Sequence, residues 1–180
     1  MSRPDELTRI QELRHVVFYQ TPGPANLTGI RDDTTPGMLI DRTDGEGIHI
    51  VAVQDNATMV ERIVGAASVA LKGADMLRKT DQWHLDKLAS MLGFELNDPK
   101  MLGEAGRLFV LPDYRERGIG RQLQAVREAE FVQRGGRVLI SAVHRDNALV
   151  QGLKRSQGWI HYADNPPDDF PFGYWAKRVG

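Results

Sequence analysis

The chain has 180 residues, of which 41% are hydrophobic and 26% charged, and its formal net charge at pH 7 is −1. This balance excludes a disordered or fibrous protein and predicts one globular domain over residues 1–180. The near-zero charge, without a long basic run, gives no basis for a nucleic-acid partner, and the absence of cysteine excludes disulfides, zinc–thiolate sites and a cysteine nucleophile.

The N-terminal residues predict a capped amphipathic helix. Ser2 and Asp5 have the spacing of a helix cap. The apolar residues that follow at helical spacing are Leu7, Ile10, Leu13 and Val17. Neither this segment nor any later one approaches the roughly 20 apolar residues of a membrane span, so we expect no membrane partner and a cytoplasmic location. Residues 21–47, rich in Pro, Gly, Asp and Thr, predict a loop that could line a site.

Two β-rich runs come next. Residues 48–53 and 62–71 are separated by the turn-forming residues 55–58, which predicts an antiparallel hairpin. From about 74 to 100 the apolar spacing fits one or two short helices, closed by Gly93 and Pro99, and predicts a helical insertion between strands.

The second half alternates strands and helices. The predicted elements are a strand over 106–111 that ends at Pro112, a helix over 120–133, a buried strand over 137–143, a helix over 147–156 and a last strand over 172–179. This order predicts an α/β fold whose mixed central sheet has antiparallel N-terminal strands, a central parallel pair and flanking helices.

The loop between the first strand and helix of this half has the composition of a phosphate site. Arg115, Arg117, Gly118 and Gly120 follow a strand and precede a helix. Glycines let backbone N–H groups turn toward a ligand, the helix N-terminus adds positive potential, and arginines add charge-assisted hydrogen bonds. The sequence lacks the lysine of a nucleoside-triphosphate loop and the third glycine of a dinucleotide fingerprint.

Residues 104–123 around this loop resemble the signature of the GCN5-related N-acetyltransferase (GNAT) superfamily. Residues 147–159 resemble the second half-site of the same family, Asn-x-x-Ala-x-x-Leu-Tyr-x-x-x-Gly-aromatic. Two positions depart from it, because Val150 replaces the small alanine and Lys154 replaces the tyrosine. The resemblance implies the GNAT fold and an acyl-CoA-dependent N-acyltransferase, with acetyl-CoA as co-substrate and no metal.

The resemblance also implies which residues bind the cofactor. Backbone groups of Phe109, Val110 and Leu111 would pair with the pantetheine arm like an added strand, and Asn147 would contact the pantetheine or adenosine side. The pyrophosphate would lie on the loop formed by Arg115, Glu116, Arg117, Gly118, Ile119 and Gly120. Residues 104–160 contain ten Lys and Arg against six Asp and Glu, a local charge of +4 (10 − 6) that suits an anionic cofactor.

Acyl transfer to an amine needs a base for the amine, donors for the oxyanion and a proton for the thiolate. Glu104, at the family's glutamate position, is the candidate base, and the competing interpretation is a strand-end carboxylate paired with Arg107. The oxyanion is expected near the backbone N–H of Val110. Lys154 is predicted to lie on the surface, so no residue is assigned as the general acid. Tyr162 and Tyr174 either substitute for it or belong to the core.

Two other polar groups have ordinary explanations. His144 follows the strand 137–143 and is predicted to be a turn histidine beside Asp146, with a site role as the alternative. Asp41, Asp44 and His49 could form a metal cluster, but the neighbouring glycines favour turn residues before a strand.

Two further functions stay open beside acetyl transfer. Three scattered motifs resemble the acyl-homoserine-lactone and N-acyl amino acid synthases, which use long-chain acyl carrier protein: Leu13-Arg14-x-x-Val17-Phe18, Asp41-x-x-Asp44 before His49, and Glu104-x-x-Arg107. Lys154 at the tyrosine position is compatible with a catalytically silent sensor that binds coenzyme A. The acceptor, a small-molecule or protein amine, is not specified by the sequence, and a homodimer through the last strands or the insertion is compatible with it.

Overall fold

The structure, a computed structural model, describes residues 4–20, 38, 44–45, 47–54, 63–71, 82–93, 101–164 and 172–180. In chain order these residues form α1 (Pro4–His15), a π-helix (Val16–Gln20), β1 (Gly47–Val53), β2 (Ile63–Ala70), α2 (Gln82–Leu92), β3 (Leu102–Val110), a 3₁₀ turn (Pro112–Tyr114), α3 (Ile119–Gln133), β4 (Val138–His144), α4 (Ala148–Ser156), β5 (Ile160–Asp164) and β6 (Phe172–Arg178).

The six strands form one mixed sheet in the order β1-β2-β3-β4-β6-β5. The neighbours β3 and β4 are parallel, with Leu102 opposite Val138 and Glu104 opposite Ile140, as expected for two strands joined by a helical crossover. β6 is antiparallel to both β4 and β5. The predicted mixed α/β fold with a central parallel pair and flanking helices is therefore confirmed.

By their contacts, the residues separate into two compact units. The first comprises Met1–Ser68 and Arg107–Arg127. It contains α1, the π-helix, β1, most of β2, the end of β3 and the first part of α3. Its core cluster is formed by Ile10, Leu13, Val17, Ile63, Ala66 and Phe109. The apolar stripe predicted on the first helix thus supplies half of this core, and this packing adds to the helix propensity of its Leu, Glu, Gln and Arg residues.

The second unit comprises Val69–Gly106 and Glu128–Gly180. Its core cluster is formed by Leu88, Leu92, Leu102, Val138, Ile140, Tyr162, Ala163 and Ala176, with Tyr174 packed against it. Tyr162 and Tyr174 are therefore core residues, as one of the two interpretations of the sequence held. The single domain over 1–180 stays a prediction.

Element ends lie within a few residues of the predicted ones, except that β3 begins at Leu102 rather than 106. Part of the predicted helical insertion is observed as α2. The rest of it, the Ser2 cap, most of the loop 21–47 and the turn 55–58 lie outside the described residues. Among the described helices, none has both the length and the apolar character to span a bilayer.

Candidate functional site

The predicted phosphate loop joins β3 to α3 in the first unit. Pro112 opens the 3₁₀ turn after β3, and residues 115–118 then lead into α3, whose first hydrogen bond runs from Gln122 N to Gly118 O at 3.1 Å. Two residues of the loop have left-handed backbone, Glu116 with a φ of 62° and Gly118 with a φ of 78°. Such a reversal next to a helix N-terminus turns successive N–H groups toward one side, which is an anion-binding geometry.

The two glycines of the loop have different roles. A Cβ on Gly118 would meet no atom within 4 Å, so the requirement for glycine there comes from its positive φ. A Cβ on Gly120 would lie 3.8 Å from Val110 Cγ2, an ordinary contact. Within the described structure, neither backbone conformation nor packing therefore requires glycine at position 120.

The arginines of the loop hold it in shape through main-chain carbonyls. Arg115 Nε donates to Val110 O at 3.1 Å, and Arg117 Nη2 donates to Asp113 O at 2.9 Å. The Arg117 guanidinium also lies 5.3 Å from the centre of the Tyr114 ring. A carbonyl does not neutralise a guanidinium, so both arginines still supply positive charge at the loop.

The end of β3 is fixed by β2. Leu111 N donates to Val64 O at 2.8 Å, so this amide is already bonded within the protein. A Cβ on Gly65 would lie 2.9 Å from Phe109 O, which shows how closely the two backbones approach. The Phe109 side chain is 3% exposed and packs edge-on against Phe18. The side chain of Phe109 is therefore not available to a ligand.

β3 contains a backbone irregularity at Arg107, whose φ is 51°. A non-glycine residue with positive φ inside a strand indicates a bulge, a feature that often redirects backbone donors beside active sites. The oxyanion donor was expected from the sequence near Val110. The irregularity lies three residues earlier, between Glu104 and Val110.

Glu104 belongs to the second unit, where it is half-buried and stands opposite Ile140 of β4. Asn147, also in this unit, caps α4, because its Oδ1 accepts from Val150 N at 3.1 Å. Its side-chain amide has no hydrogen-bond partner among the described residues and remains able to donate to a ligand.

Lys154 is buried, and the predicted surface position is wrong. The residue is 4% exposed, and its Nζ lies 3.3 Å from the centre of the Trp159 ring. The reason is the helical phase of α4, which turns position 154 inward, while the aromatic face replaces part of the water that an ammonium group would otherwise keep.

A buried ion pair that the sequence did not predict joins α1 to the turn before β1. Arg14 Nη1 lies 2.6 Å from Asp44 Oδ1, Gln11 Nε2 donates to Asp44 Oδ2 at 2.9 Å, and Arg14 Nη2 lies 3.3 Å from His49 Nδ1. His49 Nε2 is 3.0 Å from Asp44 O. Asp44 and His49 thus serve this network, and no metal-binding group of three His, Cys, Asp or Glu occurs in the part of the chain that is described. Asp41 lies outside it.

His144 ends β4 and has a local role. Its Nδ1 accepts from Asp146 N at 3.2 Å, and its ring lies edge-on to Phe172. The prediction of a turn histidine beside Asp146 is confirmed.

Comparison with known proteins identifies one family by sequence. The sequence profile of the acetyltransferase (GNAT) family matches residues 7–159. A search of curated proteins found no match. Among solved structures, the CoA-dependent acyl-homoserine lactone synthase BjaI, with SAM and isopentyl-CoA, has a TM-score of 0.69 at 16% identity, covering 98% of this chain and 77% of its own.

Two bacterial acetyltransferase structures are also similar. The GNAT acetyltransferase from Streptococcus pneumoniae has a TM-score of 0.63 at 13% identity, covering 99% of this chain and 96% of its own. YncA from Salmonella typhimurium, solved with its cofactor acetyl-CoA, has a TM-score of 0.62 at 13% identity, with 100% and 91% covered. At these identities the structures support the fold, whereas the profile match supports the family.

Proposed function

The chain belongs to the acetyltransferase (GNAT) family and is an acyltransferase, and on that premise we propose that it transfers an acetyl group from acetyl-CoA to a primary amine. The observation that carries the proposal is the loop 115–118 between β3 and α3, with left-handed backbone at Glu116 and Gly118. This loop presents N–H groups where the diphosphate of coenzyme A would bind.

The cofactor would be held mainly by backbone groups. Amides of the loop and of the first turn of α3, from Glu116 to Gly120, would bind the pyrophosphate, with the side chains of Arg115 and Arg117 adding positive potential. The amide of Arg115 already donates to Pro112 O at 3.1 Å. Val110 would offer its N–H to the pantetheine arm, since the amide of Leu111 is already bonded to β2. Asn147 would donate through its side-chain amide.

Glu104 would act as the general base, taking a proton from the acceptor amine directly or through water. The amine nitrogen then attacks the thioester carbonyl carbon, the carbon–sulfur bond breaks, and the thiolate of coenzyme A leaves. Backbone N–H groups after the bulge at Arg107 would stabilise the oxyanion. Lys154 stands at the tyrosine position of the family, and its buried ammonium would offset the negative charge of the leaving thiolate.

A second candidate is transfer of a longer acyl chain to an amino-acid-like amine. It is favoured by the Arg14–Asp44 pair, which joins two of the segments that resemble the acyl-homoserine-lactone synthases, and by the fold similarity to BjaI. The two candidates share the donor site and differ in the acyl group. Parallel assays of thiol release from acetyl-CoA, isopentyl-CoA and lauroyl carrier protein, over a panel of amines, distinguish them.

Calorimetric titration with acetyl-CoA tests the donor site. Wild-type protein should bind it, and Gly118→Ala should bind at least tenfold more weakly because alanine disfavours the left-handed backbone of the loop. Gly135→Ala is the matched control, since Gly135 follows the other end of α3 with a φ of 86° and open space around its Cβ. The absence of binding by wild type, or an equal loss of acetyl-CoA affinity in both variants, would contradict the assignment of the donor site to this loop. Binding without transfer to any amine would favour a silent sensor.

A further inference from the structure

A concave surface lies in the second unit, between α4 and the strands β5 and β6. It encloses about 230 Å³. Its polar lining residues are Arg145, Gln151, Arg155, His161, Asp164 and Trp175, and none of them belongs to the loop 115–120. We propose that this cavity binds a small anion through a carboxylate or phosphate group.

The charges that line the cavity favour an anion. Among the described lining residues, two guanidinium groups face one carboxylate, which leaves these residues a net charge of +1 (2 − 1) with His161 neutral. Asp164 is already engaged, because its Oδ1 accepts from His161 Nε2 at 3.1 Å and lies 3.7 Å from Arg145 Nε. Arg155 contacts only neutral groups among the described residues, namely Gln151 Oε1 at 3.2 Å and the Trp175 ring at 5.2 Å. Its charge is therefore not neutralised by a carboxylate of the described chain.

Trp175, one of the residues that line the cavity, supplies a second observation. Trp175 is 2% exposed, and its indole Nε1 has no hydrogen-bond partner in the described part of the chain. The same ring lies 5.2 Å from the Arg155 guanidinium, so an anion bound at Arg155 would change the environment of the indole. His161 stacks against the same ring at 5.1 Å. Among the described residues, the guanidinium groups of Arg145 and Arg155 therefore stand at a cavity whose carboxylate is occupied, and carboxylate or phosphate oxygens are the acceptors that guanidinium groups bind best.

The glycine at the start of β6 fits this arrangement. A Cβ on Gly173 would lie 2.8 Å from His161 Nε2 and 3.0 Å from Asp164 Oδ1. Any side chain there would displace the hydrogen-bonded pair that orients the imidazole. The lack of a side chain at this position thus maintains the cavity wall.

Nuclear magnetic resonance of the indole N–H groups in the full chain tests the proposal. Inorganic phosphate and succinate are titrated separately at constant ionic strength, and Trp175→Phe identifies the Trp175 signal. We expect a saturable shift of that signal. Saturation at lower phosphate concentration identifies a phosphate group as the ligand, and saturation at lower succinate concentration identifies a carboxylate.

Arg155→Gln should weaken this binding at least tenfold, equivalent to about 1.4 kcal/mol. Arg134→Gln is the matched control, because it removes an equal exposed charge that is paired with Glu130 outside the cavity. Its affinity should stay within about twofold of wild type. The absence of a saturable shift with both probes, or equal weakening in the two variants, would overturn the proposal. So would a tenfold loss of acetyl-CoA affinity in Arg155→Gln, since Arg155 would then belong to the cofactor site.

Discussion

The buried pair between Arg14 and Asp44 gives the sharpest test of how the first unit is held together. The two side chains are 1% and 5% exposed, and their nearest atoms lie 2.6 Å apart. Asp44→Asn preserves the shape of the side chain but removes the charge that neutralises Arg14. Breaking a buried pair on one side costs about 3–5 kcal/mol because a charge is left in a poorly hydrated site. For a chain of this size that corresponds to a fall in Tm of roughly 6–20 °C.

The same helix provides the control. Arg9 and Glu12 form a pair at 3.0 Å with side chains 38% and 44% exposed, so Glu12→Gln should cost less than about 1 kcal/mol. Urea unfolding followed by circular dichroism measures both variants. Adding Arg14→Met to Asp44→Asn should recover part of the loss, because the uncompensated charge is then gone. Equal stability of the two single variants, or no recovery in the double variant, would refute this account.

Four further predictions concern single residues. Glu104→Gln should lower kcat/KM by about 10²–10⁴-fold with unchanged acetyl-CoA affinity; wild-type turnover would remove Glu104 from the mechanism. Lys154→Met should lower kcat about tenfold and change acetyl-CoA affinity little; unaltered kcat would argue against a role in thiolate departure. Gly65→Ala should cost about 1–3 kcal/mol in urea unfolding, because its Cβ would lie 2.9 Å from Phe109 O, and a neutral result would contradict the close strand approach. Burial and the nearby Tyr174 raise the pKa of Tyr162 well above its usual value near 10, so the folded state retains this proton at high pH. The stabilisation is complete below about pH 10 and is lost as pH rises above it, by at most about 1.4 kcal/mol per pH unit; unfolding curves at pH 9 and 11 should show a steeper loss in wild type than in Tyr162→Phe.

The parts of the fold that the sequence predicted well are those specified locally. Pro112 ends a strand, Gly118 allows a left-handed turn, and the apolar spacing after it specifies α3, so the strand, loop and helix could be placed within a few residues. The start of β3 was missed because Gly103 and Gly106 disfavour a strand locally, whereas Leu102, Gly103 and Glu104 are in the sheet through their pairing with β4.

The missed ion pair depends on residues far apart in sequence. Arg14 lies on the same helical face as Leu7, Ile10 and Val17, and a charged residue on an apolar stripe predicts a buried partner. The sequence could have supplied that expectation. It could not have selected the partner, since Asp44 is separated from Arg14 by 30 positions. Lys154 is a similar case. Its position on the inner face of α4 could have been predicted from the helical spacing, whereas its contact with Trp159 depends on the turn at Gly158.

The contacts of Arg115 and Arg117 also show how the basic charge of residues 104–160 acts at the loop. The excess of basic residues over 104–160 suits an anionic cofactor, and the loop composition predicted hydrogen bonds from arginine side chains to phosphate. Arg115 and Arg117 instead donate to the carbonyls of Val110 and Asp113, so their first effect is to fix the loop conformation. Because those carbonyls are neutral, the positive charges persist, and backbone amides and guanidinium groups would act on one anion together. The loop conformation is fixed before any ligand binds, so the loop would lose little conformational entropy when a diphosphate binds.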